Sequence, residues 1–279
     1  MVDRINIGKI TLLSLSDGFA PPVDPIWPFP DVELHMWNNH LDALDHNQMH
    51  TSNFGSFIII VGSEKILVDA GMGNHTTEKL PSPPMKLSQN LSKLGIDSDE
   101  ITKVFFTHLH FDHIGWALDF ETKKPYFKNA EYLVPSKEWK YWEDCNDPDR
   151  SDHVKSFNEN FKEITNFNQL HLIKEYESIS KNISTMPTPG HTPGHTSLIV
   201  SSNHMKGYIT GDVFHSAAQF TNPEWSHRAD INSELAIKTR RSFLEELNGN
   251  DIIAVGHLEH NKNIGKIIIA KEKKYWKGF

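Results

Sequence analysis

The chain has 279 residues, enough for one large domain with a sizeable core, and its 38% hydrophobic and 23% charged content excludes a disordered chain. The formal net charge of −8 argues against a general affinity for nucleic acid or anionic membrane. A single cysteine, Cys145, excludes a disulfide framework and a cysteine-based zinc finger.

The opening MVDRINIGKITLL lacks the apolar run and small-residue cleavage site of a secretory signal, and no stretch reaches membrane-span length, so the expected compartment is the cytoplasm. KITLLSLSDG (9–18) reads as a strand ending in a turn. APPVDPIWPFPDVELHMW (20–37) carries too many prolines for a helix and too many aromatics for a simple linker, and it opens an N-terminal extension over 20–50. SFIIIVGSEKILVDAG (56–71) predicts a hairpin, KLSQNLSKLG (86–95) a helix stopped by Gly, and KVFFTH and AEYLVP (130–135) short buried strands. Residues 136–167 carry helical patterns. HLIKE and NISTMPTPGHT read as strand and loop, and TSLIVSS (196–202) with KGYITGD (206–212) as a second hairpin. NSELAIKTRRSFLEELNGN (232–250) predicts a helix capped by Asn232 or Ser233 and stopped by Gly249. DIIAVGH and GKIIIA read as closing strands, and KEKKYWK (271–277) as a solvated basic tail. No internal repeat is visible. Mixed strands and helices with hairpins in both halves predict two packed sheets with helices outside, a four-layer α/β architecture of the α+β type in one domain over 1–279.

The stretch THLHFDHIGW (107–116) then stands out, with three histidines and an aspartate in six residues after an apolar run. In a strand, residues two apart share a face, so His108 and His110 can reach one metal, while Asp112 and His113 lie where strand gives way to helix and can face a second. Imidazole and carboxylate suit zinc, iron, manganese or cobalt. Further metal-capable residues also end apolar runs: His191 and His195 in TPGHTPGHTS (188–197), Asp212 and His215 in GYITGDVFH (207–215), and His257 in IIAVGHLEH (252–260). Loops at one rim of a sheet scaffold are where such groups converge.

The ordered set THLHFDH, PGHTPGHTS, GD and GH, with ILVDAGMG (66–73) before it, resembles the metallo-β-lactamase superfamily over roughly residues 50–260. The resemblance implies an αββα sandwich and two divalent metal ions per chain, zinc first, with cobalt, manganese or iron also compatible. It implies one metal on His108, His110 and His195, another on Asp112, His113 and His257, a bridge from Asp212, and an orienting role near the metals for Asp69. In the same alignment His191 matches a non-ligand histidine and His260 has no counterpart, so both are expected to be structural.

Hydrolysis by a metal-bridging hydroxide is the chemistry this implies. His at 110 departs from the oxygen-reducing di-iron branch, and Asp at 212 departs from β-lactamases that place Cys there. GDVFHSAAQFTNPEW and PIWPF resemble the methyl-parathion-hydrolase-like branch, and within it the AidC-type N-acyl-homoserine lactonases. The expected function is opening of the lactone ring of N-acyl-homoserine lactones (quorum quenching), with Asp112 moving the proton and His215 donating a hydrogen bond to the carbonyl. Alternatives are phosphotriester or aryl ester hydrolysis, glyoxalase-II-like thioester hydrolysis using Lys271, Lys273 and Lys274, and a structural zinc protein. Trp27, Phe29, Met36, Trp37, Trp139, Trp142 and Phe220 are the candidates for an apolar acyl groove. The segment 20–37 is also expected to build a homodimer interface.

Overall fold

The computed structural model describes residues 4–258 and 262–279. The expectation for His260 lies outside the described residues. The chain forms two seven-stranded sheets, each with its strands in sequence order. The first contains β1 (Arg4–Ile7), β2 (Ile10–Phe19), β3 (Asn53–Val61), β4 (Glu64–Val68), β5 (Lys103–Phe105), β6 (Glu131–Pro135) and β7 (Leu170–Ile173). The second contains β8 (Ser178–Ser180), β9 (Ile183–Pro187), β10 (Thr196–Ser202), β11 (Met205–Ile209), β12 (Ile252–Ala254), β13 (Ile264–Ala270) and β14 (Lys273–Gly278). Helices α1 (Leu87–Lys93), α2 (Phe111–Ile114), α3 (Ser136–Asp144), α4 (Ser151–Asn160) and α5 (Ser233–Glu246) connect them.

Continuous apolar runs such as FIII split by strand alternation between two cores. Phe57, Ile59, Ile66, Val68 and Phe105 point between the sheets and meet Leu198, Val200, Ile209 and Ala254 of the second sheet. Ile58, Leu67 and Val104 point the other way, under the first helix layer with Trp139, Phe157 and Phe161. Tyr208, Ile253 and Val255 pack under α5 with Phe243 and Leu244. The result is the expected αββα sandwich, and each fully buried Ile, Val, Leu or Phe contributes about 1.5–3 kcal/mol of transfer free energy.

Strand direction gathers the site. β4 and β5 are parallel, as are β11 and β12. β9 runs antiparallel to β10, and β10 antiparallel to β11, so β9 points the same way as β11. The C-terminal ends of these strands therefore meet at one rim, stitched by Thr196 N–H to Thr107 O (2.9 Å) and Asn53 N–H to His257 O (3.2 Å).

Two sequence expectations change. Asn232 caps α5, accepting Leu235 N–H at 2.9 Å, but the helix ends at Glu246 because Leu247 turns extended into the core; Gly249 does not stop it. KEKKYWK is not a tail: Lys271 and Glu272, both at positive φ, make a two-residue turn, and β14 pairs with β13 over six residues. Its alternation aims Trp276 at Phe220, ring centroids 4.8 Å apart, and Lys274 Nζ donates to the carbonyls of Leu244 and Leu247 at the end of α5. Among the described residues no helix is long and apolar enough to cross a membrane.

The Pro/Trp-rich extension folds back on its own chain. Phe29, Val32, Trp37 and Leu44 bury against Ala218 and Trp225, leaving Ile26, Leu34, Met36 and Leu41 exposed.

Candidate metal centre

β5 stops at Phe105, so His108 and His110 sit just beyond the strand rather than on it. Asp69, in the left-handed region (φ 59°), replaces the missing ladder bonds: its carboxylate accepts Thr107 N–H at 2.8 Å and Thr107 Oγ1–H at 2.9 Å. Because the Thr107 hydroxyl donates to Asp69, it accepts the Nδ1–H of His108 (3.0 Å), which leaves His108 Nε2 to face the site. Asp69 also takes the Nδ1–H of His113 at 2.9 Å, and the carbonyl of Asn53 takes that of His257 at 2.9 Å. Each imidazole is thus turned by a partner on one nitrogen and aims the other inward, the usual arrangement behind metal-ligating histidines.

Asp212, on the turn after β11, is the hub. Its Oδ2 lies 2.9 Å from His257 Nε2, 3.1 Å from His191 Nε2, 3.2 Å from His215 Nε2 and 3.6 Å from His108 Nε2, and its Oδ1 lies 3.3 Å from His113 Nε2. Asp112 Oδ2 is 3.8 Å from His257 Nε2 and 3.9 Å from His113 Nε2. Ligand-spaced groups include His108, His110, His191 and Asp212, and Asp112, His113 and His257; His215 falls in two more, with Asp212 and His257 and with His191 and Asp230, the ligand atoms of each group within 4.8 Å of one another. His108 Nε2, His113 Nε2 and Asp212 Oδ1 are buried and make no hydrogen bond within the protein. Such convergent bare nitrogens and oxygens are costly without a cation, and this donor set fits two divalent ions.

Of the two histidines in the repeated Pro-Gly-His, the structure brings His191, rather than the expected His195, into ligand spacing with His108, His110 and Asp212. His195 Nε2 accepts the backbone N–H of Asp212 (2.9 Å), so its proton is on Nδ1 and goes to Thr188 Oγ1 (2.8 Å). Thr188 passes on to Ser197 Oγ (2.8 Å), which donates to Thr210 O (3.0 Å). Both ring nitrogens of His195 are therefore committed, Nε2 to the backbone of Asp212 and Nδ1 to Thr188. His191 instead places Nε2 3.0 Å from His110 Nδ1, while its Nδ1 donates to Asp230 Oδ1 at 3.0 Å. Gly211, at φ +52°, is required here: a Cβ would lie 2.6 Å from His195 Nε2.

Charge follows this geometry. Burial works against ionisation of Asp212, but His257, His113 and His108 outweigh it and hold its carboxyl well below the ordinary range. Burial likewise opposes protonation of His191, yet Asp212 and Asp230 push it up to about 9; His113 and His257 also rise, chiefly through Asp212. His195 is pushed down to about 3 and His215 to about 4, mainly by burial.

Sequence reasoning missed the supporting residues. Asp230 is buried and held down to about 2: burial opposes this, and the bonds from His191 and Arg240 prevail. Arg240, fully buried in α5, donates to Asp230 (3.4 Å) and to the carbonyls of Val213 (2.8 Å) and Pro223 (2.8 Å). His215 lies stacked between His227 (centroids 3.9 Å) and His257 (5.1 Å), and Phe29 packs edge-on against His50 and His227. No spacing rule marks Asp230 or His227.

A cavity of about 680 Å³ opens over the cluster, with His110, Asp112, His191, Asp212, His215 and His257 on its floor. Its apolar wall includes Val23, Trp27, Phe54, Met72, Leu80 and Phe111. Trp27 lies 3.8 Å from Lys79 Nζ and 4.2 Å from the Arg228 guanidinium. The other six apolar candidates do not line this cavity. Phe29 and Trp37 are packed in the extension, Trp139 and Trp142 under the helices, Phe220 stacks on Phe214 at 4.1 Å, and Met36 faces outward. Large rings in these positions serve the core, where their area is best buried.

Residues 53–257 match the Metallo-beta-lactamase superfamily, and the chain belongs to it. Among curated relatives, an N-acyl homoserine lactonase of Bacillus sp is 27% identical over 169 residues, covering 60% of each chain. An N-acyl homoserine lactonase of Bacillus cereus is 25% identical over 168 residues, again 60% of each. The chain thus spans about 60% of the length of these relatives. Of solved structures, AidC, a dizinc quorum-quenching lactonase in complex with a product, superposes with a TM-score of 0.87 at 22% identity, covering 100% of this chain and 97% of that one. The hydrolase AbOPH of the beta lactamase superfamily superposes at 0.85, also with 22% identity and the same coverage. These two share the fold.

Proposed function

We propose that the chain is a dinuclear-metal hydrolase that opens the lactone ring of N-acyl-homoserine lactones. The observation that carries this reading is Asp212 between two imidazole-rich ligand groups on the floor of a half-apolar cavity. The lactonases among its relatives favour this substrate class.

Two bound divalent ions supply a water acidic enough to attack a carbonyl near neutral pH. His108, His110, His191 and Asp212 would hold one, and Asp112, His113, His257 and Asp212 the other. The residues of the chain do the rest. The apolar wall around Trp27, Met72 and Leu80 takes the acyl chain. His215 is neutral and presents its ring on the cavity floor, 3.2 Å from Asp212, where an entering carbonyl oxygen can share its N–H. Asp112, half-buried at the start of α2, takes the proton of the attacking water and returns it to the ring oxygen as the C–O bond breaks. Water thus adds its hydroxyl to the acyl carbon and its second proton to the departing alkoxide.

Phosphotriester or aryl ester hydrolysis is the second reading, favoured by the resemblance of GDVFHSAAQFTNPEW to the methyl-parathion-hydrolase-like branch. The glutathione-thioester reading is weaker, because Lys274 is spent on the end of α5. A homodimer through the exposed Ile26, Leu34 and Met36 completes the proposal and is tested by sedimentation of the intact chain. A panel of an acyl-homoserine lactone, a phosphotriester, a thioester and a β-lactam, run on protein of measured metal content, tests the substrate. Faster turnover of the phosphotriester than the lactone would replace the first reading by the second.

A further inference from the structure

Glu138 lies fully buried in α3, outside the ligand set. Its Oε1 accepts Leu109 N–H at 3.0 Å and the Trp142 indole N–H at 2.6 Å. Its Oε2 accepts the Thr192 hydroxyl at 2.6 Å and Gly194 N–H at 3.1 Å. The carboxylate's four acceptor positions are all used. Leu109 stands between His108 and His110. Thr192 directly follows His191. Trp142 has its ring centroid 5.4 Å from that of His110.

The two histidine segments come from different sheets, one after β5 and one after β9. A backbone bond from Thr196 to Thr107 also joins them, but beyond His195, whereas Glu138 grips the residues adjoining His108, His110 and His191. The contact has no slack: a Cβ on Gly194 would lie 2.1 Å from the Glu138 backbone nitrogen. On the other side, Ile231 N–H donates to His191 O at 2.9 Å and fixes the loop against the start of α5. Charge-assisted bonds in a water-free interior are the stiffest polar links a protein makes.

We propose that Glu138 is a positioning residue that sets the spacing between the His108–His110 segment and His191, and through it the affinity of that pocket for a divalent ion. The proposal rests on the dinuclear reading above. Each Glu138 oxygen faces one backbone N–H, so the amide nitrogen of Glu138→Gln must oppose Leu109 or Gly194 whichever way it turns. Zinc affinity measured by competition with a chromophoric chelator then weakens about 10–100-fold for one of two ions and stays unchanged for the other. The cobalt-substituted protein shows an altered visible spectrum for that ion alone. Thr192→Val, which removes one donor and keeps the shape, weakens the same ion less, and it serves if Glu138→Gln does not fold. Glu143→Gln, on the surface of the same helix, changes neither. The proposal is overturned if the variants keep both affinities while only the melting temperature of the metal-free protein falls. Equal weakening of both ions also overturns it. A wild-type chain that binds fewer than two ions fails differently, by removing the dinuclear reading itself.

Discussion

Asp230 accepts the Nδ1–H of His191 at 3.0 Å, and this bond helps decide which histidine of the repeated Pro-Gly-His faces the other ligands. It turns His191 Nε2 toward Asp212 and His110, while His195 four residues on is tied to the backbone of Asp212. His191→Ala should therefore lose one metal and nearly all activity. His195→Ala should retain some metal but lose stability by about 1–3 kcal/mol, because the buried Asp212 N–H is left without an acceptor. Elemental analysis and thermal melting of the two variants check this. Full metal content in His191→Ala would restore the opposite assignment.

Asp230 itself should be worth about 10–100-fold in metal affinity when replaced by Ala. Asp230→Asn keeps an acceptor for His191 but leaves Arg240 facing a neutral group, so it should bind metal better than Asp230→Ala while still melting below wild type. Chelator competition and calorimetry separate the two effects.

Metal uptake should release protons. His191 is pushed up to about 9 and His113 and His257 also rise, so at pH 8 the metal-free fold carries imidazolium where ligands must be bare. Affinity should fall as pH is lowered. In the metal-free protein the sign is opposite: the stabilisation from protonated His191 is complete below the unfolded value of about 6.5 and is lost as pH rises through about 9. Zinc addition in weak buffer with a pH indicator reads the release directly, and no release at pH 8 would contradict it.

The fold should be acid-labile for a separate reason. His50 is pushed down to about 4, and His153 and His195 to about 3, each chiefly by burial. The unfolded chain binds protons at these groups from about pH 6.5 downward while the folded chain refuses them, so stability falls by roughly 1 kcal/mol per pH unit for each group across that window. Melting temperatures between pH 6 and 4 test the slope.

His215→Ala should keep both metals and lower lactone turnover by up to ~10²–10³ in kcat, the cost of one lost oxyanion donor. Loss of a metal would make His215 a ligand, a role its 3.2 Å approach to Asp212 makes worth measuring.

Much of this was legible in the sequence because strand ends announce themselves. Apolar runs stopping at Asp69, His108, Asp212 and His257 marked one rim, and strand direction then placed them together. The choice between His191 and His195 was not legible, because both follow the same Pro-Gly and only distant partners, Asp230 and the Asp212 backbone, tell them apart. Glu138 and Arg240 read as ordinary helical surface residues until helix packing turns them inward. The aromatic groove was overread: a ring's type predicts that it is buried, not whether it faces core or cavity, and of the seven candidates Trp27 lines the cavity. β14 was missed because its charged residues hide a period-two pattern.

The central claim is that two ions held around Asp212 serve lactone opening, and one titration tests it most directly. Metal-free protein is given zinc in steps, and formation of N-acyl-homoserine from an N-acyl-homoserine lactone is followed at each step by chromatography. The account predicts that ring-opening activity rises to a plateau at two equivalents per chain and disappears again on chelation. A chain that takes up two equivalents and leaves the lactone intact, or reaches full activity at one, would contradict it.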